Sequence, residues 1–302
     1  MFEIIVEDNC EIKDDLSFAA RELKPFLKSI VSSQKLESLK YFVVSANNND
    51  LYKKSVEKYA HLLGENIYVL NDDNYSVAGK SLEGFNHEGE YTQAIVIKAG
   101  LIIAMYNDLV NKFSNIEKKD QESFEYRDVG LVSVLHEMGH AVDNANRYEI
   151  RGSINNKILY DLDTEFDEYV ESFAYSLWGE YFAESFPYQI MNQYELFTKG
   201  KEEQLLECVK NYSTIKNRNA IAERVYRILY FFVHCLARVH YPKFERFNYE
   251  SIRCAIEYTP FLERTEIAML NLYKEYPCWN VTNCMNEMRN IIMDMIKFEE
   301  ER

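Results

Sequence analysis

Chain-breaking residues are scarce in this sequence: ten glycines and five prolines are spread over 302 positions. That scarcity leaves little room for low-complexity linker and points to long helices. Basic charge is also short, with 34 lysines and arginines against 49 aspartates and glutamates and a net charge of -15. An acidic chain without a basic stripe repels phosphate, so no nucleic-acid partner and no anionic membrane surface is expected. No apolar run is long enough for a membrane span. The longest aliphatic cluster, Ala94 to Met105, is interrupted by Lys98 and Gly100. The start, Met1 to Asp8, lacks a basic segment ahead of an apolar core and reads as no signal peptide. The cytoplasm is therefore the expected compartment, with export by a non-classical route as the alternative. Six cysteines occur, at 10, 208, 235, 254, 278 and 284, and none forms C-x-x-C. They read as reduced thiols.

What is present is a core-forming composition, 47% hydrophobic, enough for one large domain or two modest ones. The first part alternates. Strands are predicted at Phe2–Val6, Leu39–Ser45, Ile67–Leu70 and Tyr91–Lys98, and helices at Asp14–Val31, Leu51–Leu63 and Leu101–Phe113. Asn47 to Asp50 offers a helix cap, and residues 71–90, rich in Asn, Asp, Gly and Ser, read as a long loop. From about residue 126 the signals are almost all helical: 163–186, broken near Gly179, then 189–211, 217–240, 248–257, 261–275 and 280–300. Pro187, Pro242, Pro260 and Pro277 mark breaks between them. The expected fold is α+β, a small mixed sheet in residues 1–125 and a helical lobe over 126–302, acting as one catalytic unit.

The stretch that carries chemistry is His136-Glu137-Met138-Gly139-His140, an H-E-x-x-H inside the apolar run Val129 to Val142. Residues four apart on a helix lie on the same face, one turn above each other. His136 and His140 can thus present two imidazoles to one metal ion, with Glu137 beside them to accept a proton from water. Asp143 shares that face and is a candidate to hold a ligand histidine by its other N–H.

A catalytic zinc takes three protein ligands and keeps one position for water. The extended pattern H-E-x-x-H-x-x-G-x-x-H fails here, because its last two fixed positions are Asp143 and Asn146. The third ligand then falls to a carboxylate downstream. The acidic stretch offers Asp163, Glu165, Asp167, Glu168, Glu171, Glu180 and Glu184. Most of these belong to a solvated face. Two stand out: Glu171, in Glu-Ser-Phe-Ala, and Glu180, which has Glu184 one turn further on. Of the Glu180/Glu184 pair, one can ligate while the other orients a ligand histidine. His61, His87, His234 and His240 read as surface or satisfied core residues.

The blocks His136 to Asp143 and Glu180-Tyr181-Phe182-Ala183-Glu184-Ser185-Phe186 together resemble the gluzincin metallopeptidases. The similarity is to the group containing the catalytic domain of anthrax lethal factor and the bacterial Pro-Pro endopeptidases, and it covers about residues 131–186. The resemblance implies a zincin-like fold and a hydrolase, specifically a zinc metalloendopeptidase binding one Zn2+. It makes His136, His140 and Glu180 the ligands, with Glu171 the alternative third ligand, and Glu137 the general base acting on a zinc-activated water. The partner implied is a protein or peptide substrate, extended along a sheet edge for which Tyr91–Lys98 is the candidate. The family has a tyrosine seven positions before the third ligand, where it steadies the oxyanion. Here that residue is Phe173, and Tyr169 or Tyr175 is the expected substitute. The alternative function is a zincin-like zinc-binding regulatory protein or toxin-type effector with restricted or no general proteolysis.

Overall fold

The alternation expected in the first hundred residues holds in the structure, a computed structural model that describes residues 2–64, 78–113, 129–152, 165–191, 199–210, 217–241, 245–279 and 284–302. The architecture is α+β, with one four-stranded mixed sheet and helices over most of the described chain. Two units divide it, residues 1–145 and 146–302, and the division falls within a single helix. The strand expected at Ile67–Leu70, and Asp163 and Pro242, lie outside the described residues.

The first unit runs β1 (Glu3–Val6), α1 (Lys13–Ser33), β2 (Leu39–Ser45), α2 (Asn49–Leu62), β3 (Gly79–Phe85), β4 (Tyr91–Lys98), α3 (Ala99–Phe113) and the first part of α4 (Val129–Gly152). Pro25 lies inside α1. Asn48 caps α2, its side chain accepting from the N–H groups of Asp50 and Leu51. The strand order is β1-β2-β4-β3, with β1, β2 and β4 parallel and β3 antiparallel to β4. Val43, Ala94 and Val96 on one sheet face pack against Tyr52, Val56, Tyr59 and Leu63 of α2 and its end.

Two expectations are corrected here. Tyr91–Lys98 is not an edge: β4 is paired on both sides, and Thr92 to Ile97 are all buried, as suits a nearly continuous apolar strand in a sheet interior. The edge beside it is β3, which occupies part of the segment expected to be a loop. Its sequence, Gly-Lys-Ser-Leu-Glu-Gly-Phe, offers little apolar alternation, and pairing with β4 makes it a strand rather than propensity of its own.

The second unit contains α5 (Glu165–Met191), α6 (Lys199–Lys210), α7 (Arg218–His240), a 3-10 helix (Tyr249–Tyr258), α8 (Thr259–Glu275) and α9 (Asn286–Glu300). The breaks expected at Gly179 and Pro187 are absent, and α5 runs through both. Between Leu177 and Tyr188 every residue of α5 but Glu180 is buried, so packing on nearly all sides outweighs the local penalty of each breaker. Trp178 anchors it, its ring 4.8 Å from that of Trp279 and 5.3 Å from that of Tyr276. Residues 248–257, expected as an α-helix, form the tighter 3-10 turn. Pro260 opens α8 instead of separating helices, since the first turn of a helix has no partner for the missing N–H.

Burial of a charge in this unit is matched by a full set of donors. The Glu266 carboxylate accepts from the Phe247 N–H at 3.0 Å and the Tyr249 hydroxyl at 2.8 Å. His240 Nε2 lies 3.3 Å from it and Arg246 3.4 Å. The other His240 nitrogen meets the Tyr181 hydroxyl at 2.7 Å. Burial pushes the Glu266 carboxyl up, but His240, Phe247, Tyr249 and Arg246 together hold it below the ordinary 4.5. A depressed folded-state value means the contribution is complete above the ordinary value and is lost as pH falls through the folded one. Glu266→Gln is expected to lower unfolding free energy by about 2 kcal/mol near neutral pH, a charged hydrogen-bond loss. In thermal unfolding at stepped pH, the gap to wild type should close below 4.5. A gap that stays constant to low pH contradicts this account.

Candidate metal centre

In the first unit the candidate residues His136, Glu137 and His140 ride on α4. Leu131, Val134, Leu135, Met138, Ala141 and Val142 bury the apolar side of this helix. Its start is set against α3: a Cβ on Gly130 would lie 2.3 Å from the Met105 nitrogen, so only glycine permits the approach. The Leu131 N–H donates to Asp108 Oδ2 at 3.0 Å, satisfying one of the first-turn donors. One turn apart, His136 and His140 bring their Nε2 atoms to 3.1 Å, with the rings nearly perpendicular at 86°. Two nitrogens on one tetrahedral zinc, each about 2.0–2.1 Å from it, would be about 3.3 Å apart. The pair therefore fits zinc as it stands. Asp143 is fully buried on the same side of α4.

Glu137 points to the sheet edge. A Cβ built on Gly79, the first residue of β3, would lie 2.7 Å from Glu137 Cγ and 2.9 Å from its Oε1. The carboxylate therefore packs on the backbone of the edge strand, at a place no other residue type can occupy without moving it.

In the second unit, α5 sorts the acidic candidates by face. At 3.6 residues per turn, Glu171 is about half a turn round the helix from Glu180. Burial pushes its carboxyl up, partly offset by Arg289 of α9. Tyr175 is about 140° from Glu180 and hydrogen-bonds Cys284. Tyr169 does share the Glu180 face, but 11 residues away, about 16 Å along the helix. Its hydroxyl donates to Glu223 at 3.4 Å. Neither tyrosine is gathered at Glu180, and Phe173 stacks on Tyr226 with centroids 4.5 Å apart.

The residues gathered there come from α7, and the sequence reading missed their role. Tyr226, Tyr230, His234 and Arg238 recur every four residues, and Tyr226, His234 and Arg238 face Phe173, Ser176, Glu180 and Glu184. Tyr226 meets the Ser176 hydroxyl at 2.8 Å, His234 Nε2 lies 3.4 Å from Glu180 Oε2, and Arg238 Nε donates to Glu184 Oε1 at 2.6 Å. Lys201 of α6 adds a further cation, held below the usual lysine range by burial and raised in part by Glu184 and Glu180. Burial pushes the Tyr226 phenol up to about 12, and the Glu180 charge adds to this, so the hydroxyl keeps its proton. The four-residue stripe of polar and aromatic residues on α7 was the available signal.

No protein-family model matches the chain, and neither a curated protein nor a solved structure matches it.

The Gly79 contact has a measurable consequence. Gly79→Ala is expected to cost about 1–3 kcal/mol, the range of an overpacked site. In a Glu137→Ala background, where the colliding carboxylate is gone, the same substitution should cost clearly less. Chemical denaturation of the four proteins of this cycle measures the difference, and an equal cost in both backgrounds contradicts the contact.

Proposed function

We propose that the chain is a zinc metallopeptidase of gluzincin type with a zincin-like fold, akin in its site to the group containing anthrax lethal factor and the Pro-Pro endopeptidases. One observation carries the reading. His136, His140 and Glu180 each offer a ligand atom within 4.8 Å of the other two, a group able to hold a metal ion among the described residues. Two imidazoles and one carboxylate form the donor set of a hydrolytic zinc site with an open position. Glu180 is preferred to Glu171 as third ligand because the two lie on opposite faces of α5.

Zinc bound there supplies a water with its pKa lowered to about 7 and polarisation of the scissile carbonyl. The remaining work belongs to side chains. Glu137 accepts the proton from water as it attacks and delivers it to the leaving amine. Strand β3, against which Glu137 packs, is the outer strand of the sheet among the described residues, and an extended peptide adding to it as a further strand would pass beside Glu137. Asp143 holds a ligand histidine, and Glu184, fixed by Arg238, keeps the acidic face of α5 in place. Tyr226, hydrogen-bonded to Ser176 and close enough to Glu180 to feel its charge, takes the oxyanion role in this reading in place of Tyr169 or Tyr175.

The test is metal content with peptide cleavage. Wild type should carry one zinc and cleave; Glu137→Gln should keep the zinc and lose about 100-fold or more in rate. Glu180→Gln should lose the zinc. A purified protein without metal, or a Glu137→Gln variant as active as wild type, overturns the proposal. A wild type that binds zinc and cleaves nothing supports the regulatory alternative instead.

A further inference from the structure

Side chains alternate along β3, so the strand has two distinct faces. A Cβ on Gly79 would lie 2.7 Å from Glu137 Cγ, so Ser81, Glu83 and Phe85 share the Glu137 side. The other side belongs to the core. Leu82 packs there with Ala94 and Val96 against α2, and a Cβ on Gly84 would lie 2.2 Å from the Leu63 carbonyl oxygen. The Glu137 side ends in an aromatic pair. Phe85 stands opposite Tyr91 of β4, with ring centroids 6.0 Å apart and planes at 65°. The Tyr91 hydroxyl donates to Glu83 on the same side, which fixes one ring of the pair. The other ring, Phe85, is 52% exposed at the end of the outer strand among the described residues. A large exposed apolar group at a sheet edge invites unwanted association, so one kept there needs a use.

We propose that Phe85 is a specificity-determining residue: it binds an apolar side chain of the peptide substrate, about six residues from the bond that is cut. This rests on the peptidase reading of Glu137. In that reading the attacking water lies by Glu137, beside Gly79 at the start of β3. A peptide that adds to β3 as a further strand advances with it, at about 3.3 Å per residue. From Gly79 to Phe85 the strand steps 85 − 79 = 6 residues, so about 20 Å of extended peptide separates the cut from this ring. A peptide residue that points to the Glu137 side there becomes a cross-strand neighbour of Phe85. An aromatic or β-branched side chain at that place covers the exposed part of the ring. An aromatic pair serving only the β3–β4 hairpin gains most by burying both rings; here half of one stays in water. One continuous strand face runs from Glu137 to Phe85, and this ties the ring to the substrate. The substrate class is therefore an extended segment of six or more residues on one side of the cut, rather than a short peptide.

Cleavage-site profiling by mass spectrometry tests this, with a proteome-derived peptide library as the probe. Wild type should show aromatic and branched aliphatic residues enriched about five to seven positions from the cut, on one side of it. Phe85→Ser should lose the enrichment, and Phe85→Tyr should keep it. On the best peptide, Phe85→Ser should raise KM with little change in kcat, lowering kcat/KM about five- to tenfold. Truncating that peptide before the preferred residue should cost wild type the same factor and cost Phe85→Ser nothing further. A merely structural role for the ring would slow long and truncated peptides alike. No enrichment in wild type, or an equal truncation cost in both proteins, overturns the inference. A wild-type dimer without the enrichment that falls to a monomer on Phe85→Ser assigns the ring to a second copy and overturns it too. If wild type cleaves no peptide of the library, or Glu137→Gln cleaves as wild type does, the peptidase reading fails and this inference with it.

Discussion

Two imidazole nitrogens held 3.1 Å apart on successive turns of α4 are the constraint on which the site depends. Lone pairs cannot face each other at that distance without repulsion, so a proton or a cation must lie between them. A shared proton would make the pair an ordinary hydrogen bond between neighbouring histidines. The proposed account places a divalent cation there instead, which satisfies both nitrogens and requires further donors. The same helix is seated against α3 through Gly130 and Asp108, and against the edge strand through Glu137 and Gly79. His136, His140 and Glu137 are thus fixed by packing within the first unit.

Electrostatics dominates the other half. Glu180 and Glu184 stand one turn apart on α5, and two like charges on one helix face repel. Arg238 answers Glu184 directly, Lys201 adds positive charge nearby, and His234 faces both carboxylates. Cation supply from α6 and α7 lets two carboxylates persist on a mostly buried helix, where an unpaired charge would be costly. Beneath this layer the Tyr181–His240–Glu266 chain satisfies the next set of polar groups, so the helix bearing Glu180 is held from both sides of that residue.

Much of this was legible in the residues themselves. β2 and β4 match the predicted strands, because aliphatic runs bounded by turns mark buried strands, and Asn48 caps α2 as the Asn-rich segment implied. The H-E-x-x-H helix and the two acidic candidates on α5 were visible from spacing alone. What was not legible depends on tertiary context. Strand β3 is made by its pairing with β4, and α5 passes through Gly179 and Pro187 because it is enclosed. Spacing could not choose between Glu171 and Glu180; the structure adds that they face different helices, Glu171 toward α9 and Glu180 toward α7. The stripe on α7 was periodic in the sequence, yet nothing there tied it to a residue some fifty positions away.

The central claim is that one metal is held by two imidazoles and a carboxylate. X-ray absorption at the zinc edge of the purified native protein tests it most directly. The account predicts a first shell of nitrogen and oxygen only, at about 2.0–2.2 Å, with the outer-shell scattering of two histidine rings. A sulfur shell at about 2.3 Å, or scattering from fewer than two imidazoles, would contradict it.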